Sequence, residues 1–285
     1  TKVAVSCGSA RFSLAAMAAD DYPALPAMPG VAGTVDAHDL AQAVAQVVIA
    51  ASRDETLPLL TSVQMQVEGE RLTLMATDRY RLAVREMTWS PQDAGLTTHA
   101  LLKARTLSDV AKSLTSTGDV TVALTEAGAS SSGLIGFEAG GRRTTSLLTD
   151  GDYPPVLRLF PEETTIHAAV GREELMAAVR RVSLVADRST PIHMSFTEGS
   201  LALDAGTGDD AQASERLDAH LDGQDISTAF NPGYLLDGLG AITQPYVTLD
   251  FTHPSKPAVL TGVSEIGGEA DPSFRYLIMP IRFGA

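Results

Sequence analysis

Arg142-Arg143-Thr144-Thr145-Ser146-Leu147-Leu148-Thr149-Asp150-Gly151-Asp152-Tyr153-Pro154 decides the fold, because the chain has already run through a similar passage once. Arg11-Phe12-Ser13-Leu14 leads to Asp21-Tyr22-Pro23, again with an arginine ten residues before the aspartate of Asp-Tyr-Pro. The two aspartates lie 152 − 21 = 131 residues apart. That period is too long for a solenoid and suits tandem domains.

Further landmarks keep the same order. An acidic residue precedes Leu40 and Leu175, an amphipathic pattern follows, and Arg53 and Arg188 each come thirteen residues later. Glu68-Gly69-Glu70 then precedes Leu72-Thr73-Leu74, as Glu198-Gly199-Ser200 precedes Leu201-Ala202-Leu203, each a strand, a turn and a strand. Leu107 and Leu114 correspond to Leu235 and Ile242, and the alternating Val120-Thr121-Val122 corresponds to Val247-Thr248-Leu249. Each unit is therefore α+β with antiparallel sheets. In the first, helices are expected over 39–53 and 104–114, with strands over 62–88 and 120–148; in the second, helices are expected over 172–186 and 232–241.

Pro and Gly interruptions put the boundaries near 30 and 160, giving units 31–160 and 161–285. Residues 1–30 match only the closing portion of a unit. A pair of strands such as Val3-Ala4-Val5 and Arg11-Phe12-Ser13 does not make a stable domain alone, so a further body upstream is expected.

Composition agrees with more than one folded core: 285 residues, 44% hydrophobic and 20% charged. The longest apolar run, 41–51, is about half of the roughly 20 residues that a membrane-spanning helix needs. The lone Cys7 reads as a small packed strand residue, and a reducing cytoplasm is the expected compartment. The net charge of 21 − 35 = −14 argues against coating nucleic acid by bulk attraction. It leaves open a protein that puts cations on one face only.

Enzyme chemistry has no foothold in the motifs. There is no Walker loop, Gly-x-Ser-x-Gly elbow, His-Glu-x-x-His or cysteine pair, and the six histidines are scattered without ligand spacing. Asp20-Asp21 and Asp209-Asp210 read as solvated turn acids, so no catalytic residue, metal or cofactor is expected.

Ala76-Thr77-Asp78-Arg79-Tyr80-Arg81-Leu82-Ala83 resembles the Ala-Thr-Asp-x-x-Arg-Leu-Ala signature of bacterial β sliding clamps, the DNA polymerase III β subunits. Tyr276-Leu277-Ile278-Met279-Pro280-Ile281-Arg282 is similar to the closing Met-Pro-x-Arg segment of that family, and 230–236 and 152–154 also fall where the family has them. The resemblance implies tandem clamp domains, each with two helices inside and antiparallel sheets outside. It further implies a three-domain protomer with its first domain largely missing here, and a head-to-tail homodimeric ring around double-stranded DNA. Such a ring tethers the replicative polymerase and clamp-loader subunits through short peptides, Gln followed by apolar residues ending in Leu-Phe.

The resemblance also implies a peptide pocket between the two complete units. Its walls would be Leu60, Thr77, Arg79, Tyr80, Arg81, Leu82, Pro154, Arg158 and Leu159 from the first, facing Asn231, Tyr234, Leu277, Met279, Pro280, Ile281 and Arg282 from the second. Leu, Met and Pro suit an adaptable apolar wall, and Arg suits the peptide's polar atoms. Asn231 is equally placed to cap the helix that Pro232 begins. Two departures stand out: Arg79-Tyr80 where the family often has Gly-His, and Gly284-Ala285 past the usual end. An inhibitor-tolerant duplicate clamp would have the same fold and pocket, with the rim at Arg79 and Tyr80 as the place to differ.

DNA-facing cations are expected on the helices. Arg105 and Lys112, like Arg181 and Arg188, are seven residues apart and share a helix face, with Arg53, Lys103 and Arg180 nearby. Their role would be contact with phosphates irrespective of base sequence.

Overall fold

The computed structural model describes residues 2–114, 118–125, 133–185, 190–206 and 211–281. Strands β1 (Lys2–Cys7) and β2 (Ala10–Ala15) form a hairpin whose residues are all exposed, Cys7 included. Cys7 is thus in a strand, as expected, but is not packed.

The first unit begins with β3 (Val31–Asp36) and α1 (Ala37–Val48) and continues through β4 (Ser62–Glu68), β5 (Arg71–Thr77), β6 (Arg81–Thr88), β7 (Ser90–Pro91) and β8 (Thr97–Lys103). Then come α2 (Ala104–Ser113), β9 (Asp119–Leu124), β10 (Leu134–Ala139) and β11 (Arg142–Leu147). The second unit repeats the order element by element. It runs β12 (Ile166–Gly171), α3 (Arg172–Val182), β13 (Ile192–Thr197), β14 (Ser200–Ala205), β15 (Ala213–Asp218), β16 (His220–Asp222) and β17 (Ile226–Phe230). It closes with α4 (Pro232–Ala241), β18 (Tyr246–Phe251), β19 (Ala258–Val263) and β20 (Phe274–Ile278).

Local chemistry sets the helix ends. Asp36 caps α1, its carboxylate accepting the N–H groups of His38 and Asp39 at 2.8 and 3.0 Å. Leu40, Ala43, Val44 and Val47 form the buried stripe of α1 at helical spacing. The helix stops five residues short of the expected end. Ala50 and Ala51 donate to carbonyls three residues back, at Val47 and Val48, and the chain then turns, so Arg53 lies in the following loop. Likewise α3 ends at Val182 and passes into a 3-10 turn over Ser183–Val185. In β4, Val63, Met65 and Val67 face the core while Gln64 and Gln66 alternate outward.

In each unit the two helices pack together, α1 on α2 and α3 on α4, against sheets of matching strand order. The first unit has a five-stranded sheet, β11-β10-β9-β3-β7; its counterpart, β20-β19-β18-β12-β16, is part of a larger sheet. That nine-stranded sheet forms because β20 pairs antiparallel with β6, from Phe274 opposite Arg85 to Ile278 opposite Arg81. The second unit's β15-β14-β13-β17 sheet mirrors the β6-β5-β4-β8 half of the large sheet. The seam between the units is therefore continuous main-chain hydrogen bonding.

Close packing at the seam depends on Gly238 of α4. A Cβ there would lie 2.5 Å from the ring of Tyr276, which is fully buried in β20. Gly238→Ala is expected to cost about 2 kcal/mol through overpacking, read as a lower urea midpoint at unchanged m-value.

Candidate functional site

A partly exposed apolar surface lies where the seam meets the segment leading out of the first unit. Its floor is a satellite cluster separate from the main core: Met75, Leu82, Val84, Val156 and Leu277, with Tyr153 and Phe160 packed on it. The strand period explains the division. Leu82 and Val84 of β6 point to this face, while Ala83 points to the main core and Arg81 and Arg85 share its side. Leu277 sits directly across from Leu82 in the ladder.

The walls come from three segments. Met279 is 37% exposed, and its N–H donates to the Tyr80 carbonyl at 2.8 Å, which fixes the C-terminal segment to the β5–β6 hairpin. Ile281 is tied down by its N–H to the Ala229 carbonyl at 2.8 Å. Leu159 is 52% exposed at the end of a 3-10 turn over Val156–Leu159, with Arg158 and Pro154 exposed beside it. Tyr153 anchors that segment: its hydroxyl oxygen accepts the Thr77 N–H at 3.1 Å. Burial pushes the Tyr153 phenol well above its ordinary range, so it stays neutral. Leu60 is half-buried beside the loop where Ser62 and Thr149 share a hydroxyl hydrogen bond at 3.0 Å.

Not every expected wall residue presents a side chain to the groove. Thr77 is 5% exposed, with its hydroxyl donating to the Arg81 carbonyl at 2.6 Å, and Leu82 and Leu277 form floor. Asn231 caps α4, its side-chain oxygen accepting the Tyr234 N–H at 3.1 Å. Arg81 turns inward and is 5% exposed. Its Nε donates to Asp78 at 2.9 Å and its Nη1 to Asp237 of α4 at 2.5 Å, while the guanidinium lies 4.3 Å from the Tyr234 ring centre. Burial opposes the charge on Arg81, but the Tyr276 hydroxyl and the Asp237 and Asp78 carboxylates more than offset it. Arg81 thus positions the hairpin that carries Arg79 and Tyr80. Arg282 lies outside the described residues, as do Gly284 and Ala285.

The hairpin tip is strained. Arg79 has φ +83°, the one non-glycine residue at positive φ among the described residues, in a region that suits glycine. Tyr80 stacks on Tyr234 across the seam, with ring centres 6.2 Å apart.

The other end of the seam holds Asp271. Burial raises its carboxyl, yet hydrogen bonds from Ser273, the nearby Arg85 and the Gln244 amide outweigh that and leave it below the usual carboxylate range. A carboxyl lowered in the folded state stabilises above its unfolded value of about 3.8 and loses that contribution as pH falls through the folded value. Asp271→Asn is therefore expected to narrow the loss of stability between about pH 5 and pH 3, as measured by urea midpoints.

The expected DNA-facing cations fall into two groups. Arg53, Lys103 and Arg105 line one crevice of about 550 Å³ between the end of α1 and the start of α2, and Lys112 is exposed further along α2. Arg180 lines a separate crevice of about 470 Å³ where α1 meets α3 and α4. Arg181 is drawn sideways onto Glu215 of β15, its Nε at 3.1 Å from the carboxylate. Arg188 and the Asp209-Asp210 pair lie outside the described residues. Among the described residues no group of three or more His, Cys, Asp or Glu is placed to hold a metal ion, and no helix is long and apolar enough to cross a membrane.

Two repeated α+β units are thus merged through one sheet, with a partly exposed apolar surface at the join. Comparison narrows the class. Residues 34–155 match the family description "DNA polymerase III beta subunit, central domain" and residues 157–282 match its C-terminal domain. The beta sliding clamp of Streptomyces coelicolor is 51% identical over 281 residues, covering 99% of this chain and 74% of that protein. The beta sliding clamp homolog GriR of Streptomyces muensis is 44% identical, covering 99% and 75%. Among solved structures, the DNA polymerase sliding clamp of Bacillus subtilis superposes with a TM-score of 0.89 at 26% identity, covering 99% of this chain and 73% of that one. A Pseudomonas aeruginosa clamp crystallised with griselimycin has the same fold, with a TM-score of 0.87 at 23% identity and coverage of 99% and 74%. The chain belongs to the DNA polymerase III β subunit family, the bacterial sliding clamps, and is a processivity clamp of DNA replication.

Proposed function

We propose that the protein works as a ring around double-stranded DNA and tethers the replicative polymerase, clamp-loader subunits and repair proteins through short peptides seated in the groove. The seam is the observation that carries this reading. β15 is the second unit's counterpart of β6, and β2 and β11 are counterparts of β20, yet among the described residues β15 and β11 end their sheets and β2 pairs with β1 alone. Repeating the β6–β20 join from β15 of one protomer to β2 of another closes a head-to-tail homodimer. The protomer then has three domains, with 1–30 the end of the first and 31–160 and 161–285 the second and third.

The apolar surface from Leu159 to Met279, over the Leu82 and Leu277 cluster, suits the apolar side chains of an extended peptide. On the helix side, Arg53, Lys103, Arg105, Lys112 and Arg180 supply scattered positive charge, enough to centre a duplex and too little to grip it. Holding needs no catalysis, metal or cofactor, and the cytoplasmic nucleoid is the site of action. An inhibitor-tolerant duplicate clamp remains the alternative, but the chain is closer to the S. coelicolor clamp than to GriR. Sedimentation of the complete protomer tests ring formation: a dimer is expected at micromolar concentration, and a strict monomer contradicts it.

A further inference from the structure

A crevice of about 800 Å³ crosses the seam at the end away from the β5–β6 hairpin. Register fixes the separation: Ile278 lies opposite Arg81 at one end of the β6–β20 ladder, and Phe274 lies opposite Arg85 at the other. From the first unit the crevice is lined by Asp39 of α1, Glu70 in the β4–β5 turn, and Arg85 and Met87 of β6. Pro272 and Ser273, just before β20, line it from the second.

Fixed charges of both signs stand unpaired there. Arg85 is half-buried, and its only hydrogen bond among the described residues runs from Nη1 to the Ser273 hydroxyl, while Nε is buried with no acceptor. Asp271 is near enough to feel the charge of Arg85, but its carboxylate accepts the Ser273 N–H at 2.9 Å and the Gln244 amide at 2.7 Å. Among the described residues, no carboxylate lies within ion-pair distance of Arg85, and no cation within that distance of Asp39 or Glu70. The other arginines of the crevice are taken: Arg71 pairs with Glu68, and Arg275 pairs with Glu86 at 3.0 Å while lying 4.6 Å from the Phe160 ring centre.

α1, the β4–β5 turn and β6 thus hold apart three groups that could otherwise neutralise one another. A half-buried guanidinium with most of its donors unmet favours a planar carboxylate that can accept from two of them. Asp39 and Glu70 favour a cationic donor. An anion alone would face both of those acids and a chain of net charge −14, so a ligand whose own charges cancel is the one this field admits.

We infer that the crevice binds a small zwitterion, with its carboxylate on Arg85, its amine on Asp39 and Glu70, and a short apolar body against Met87 and Pro272. The volume suits such a molecule, and the adaptable methionine suits its apolar middle. The site is independent of the apolar surface at the other end of the seam.

The probe is para-aminomethylbenzoate, with benzoate and benzylamine as its two halves. Each is titrated into the complete protein at low salt and followed through the isotope-labelled methyl signal of Met87, assigned by Met87→Leu. The zwitterion is expected to half-saturate near about 1 mM. Each half should bind at least about five-fold more weakly, as loss of one partly exposed ion pair implies. Arg85→Gln should reduce the zwitterion to the level of benzylamine, and Arg85→Lys should restore part of the difference. Asp39→Asn combined with Glu70→Gln, both at exposed positions, should reduce it to the level of benzoate. The comparison with the two halves and the paired acid variant decide the matter even where Arg85→Gln fails to fold. No shift of Met87 up to about 10 mM, or equal half-saturation by the zwitterion and its halves, overturns the inference. So does zwitterion binding that is unchanged in the paired acid variant or in folded Arg85→Gln.

Discussion

Replacing Leu159 and Met279 together by Asp is expected to weaken capture of a Leu-Phe-ended peptide by more than about 100-fold while leaving the protein folded. The asymmetry follows from exposure. Leu159 and Met279 are 52% and 37% exposed, so new carboxylates there are hydrated in the free protein and stability should stay within roughly 0.5 kcal/mol. In the complex the same carboxylates would be covered by the peptide's apolar side chains and lose their hydration. Anisotropy titration reads the first effect and urea denaturation the second. Binding that survives the double substitution would place the peptide elsewhere.

Arg81→Ala is expected to have the largest effect on the fold itself, a loss of about 3 kcal/mol. Removing the guanidinium leaves Asp78, which is 11% exposed, without its ionic partner, and breaks the tie from the β5–β6 hairpin to Asp237 in the other unit. Asp237→Asn should cost less, about 1 kcal/mol, because that carboxylate is 43% exposed and water replaces part of what is lost. Peptide affinity should fall in Arg81→Ala as well, since Tyr80 then loses its placement against Tyr234. Equal stability of the two variants would mean that the buried charge is not what holds the hairpin to α4.

The repeat was visible because turn residues and helix patterns are local signals, and Asp152-Tyr153-Pro154 with Glu198-Gly199 fixed its period. Pro232 and Asn231 placed the start of α4 for the same reason. The pairing of β6 with β20 carried no such mark, because both strands are buried runs that would suit many neighbours. In the sequence Arg81 reads as pocket wall because it lies within a surface motif. What turns it inward is Asp237, 156 residues away, together with Tyr234 and Tyr276.

The floor was legible only in part for the same reason. Leu82 and Leu277 came from the motifs, but Met75, Val84, Val156 and Phe160 meet only once the seam forms and the segment after Tyr153 folds over it. In the sequence Tyr153 is a landmark of the repeat; its hydroxyl at the Thr77 amide is a contact between segments 76 residues apart. The ends of α1 and α3 were overestimated because apolar spacing continues past the point where the backbone tightens into turns.

The central claim, a ring that holds DNA by enclosing it, is tested most directly by topology. The complete protomer, loaded by its cognate clamp loader onto nicked circular plasmid, is expected to remain bound through gel filtration at salt high enough to screen Arg53, Lys103, Arg105, Lys112 and Arg180. Cutting the plasmid once should release it by sliding off the ends. Equal retention on circular and linear DNA, or loss from both with rising salt, would contradict encirclement and leave ordinary charge attraction as the mode of binding.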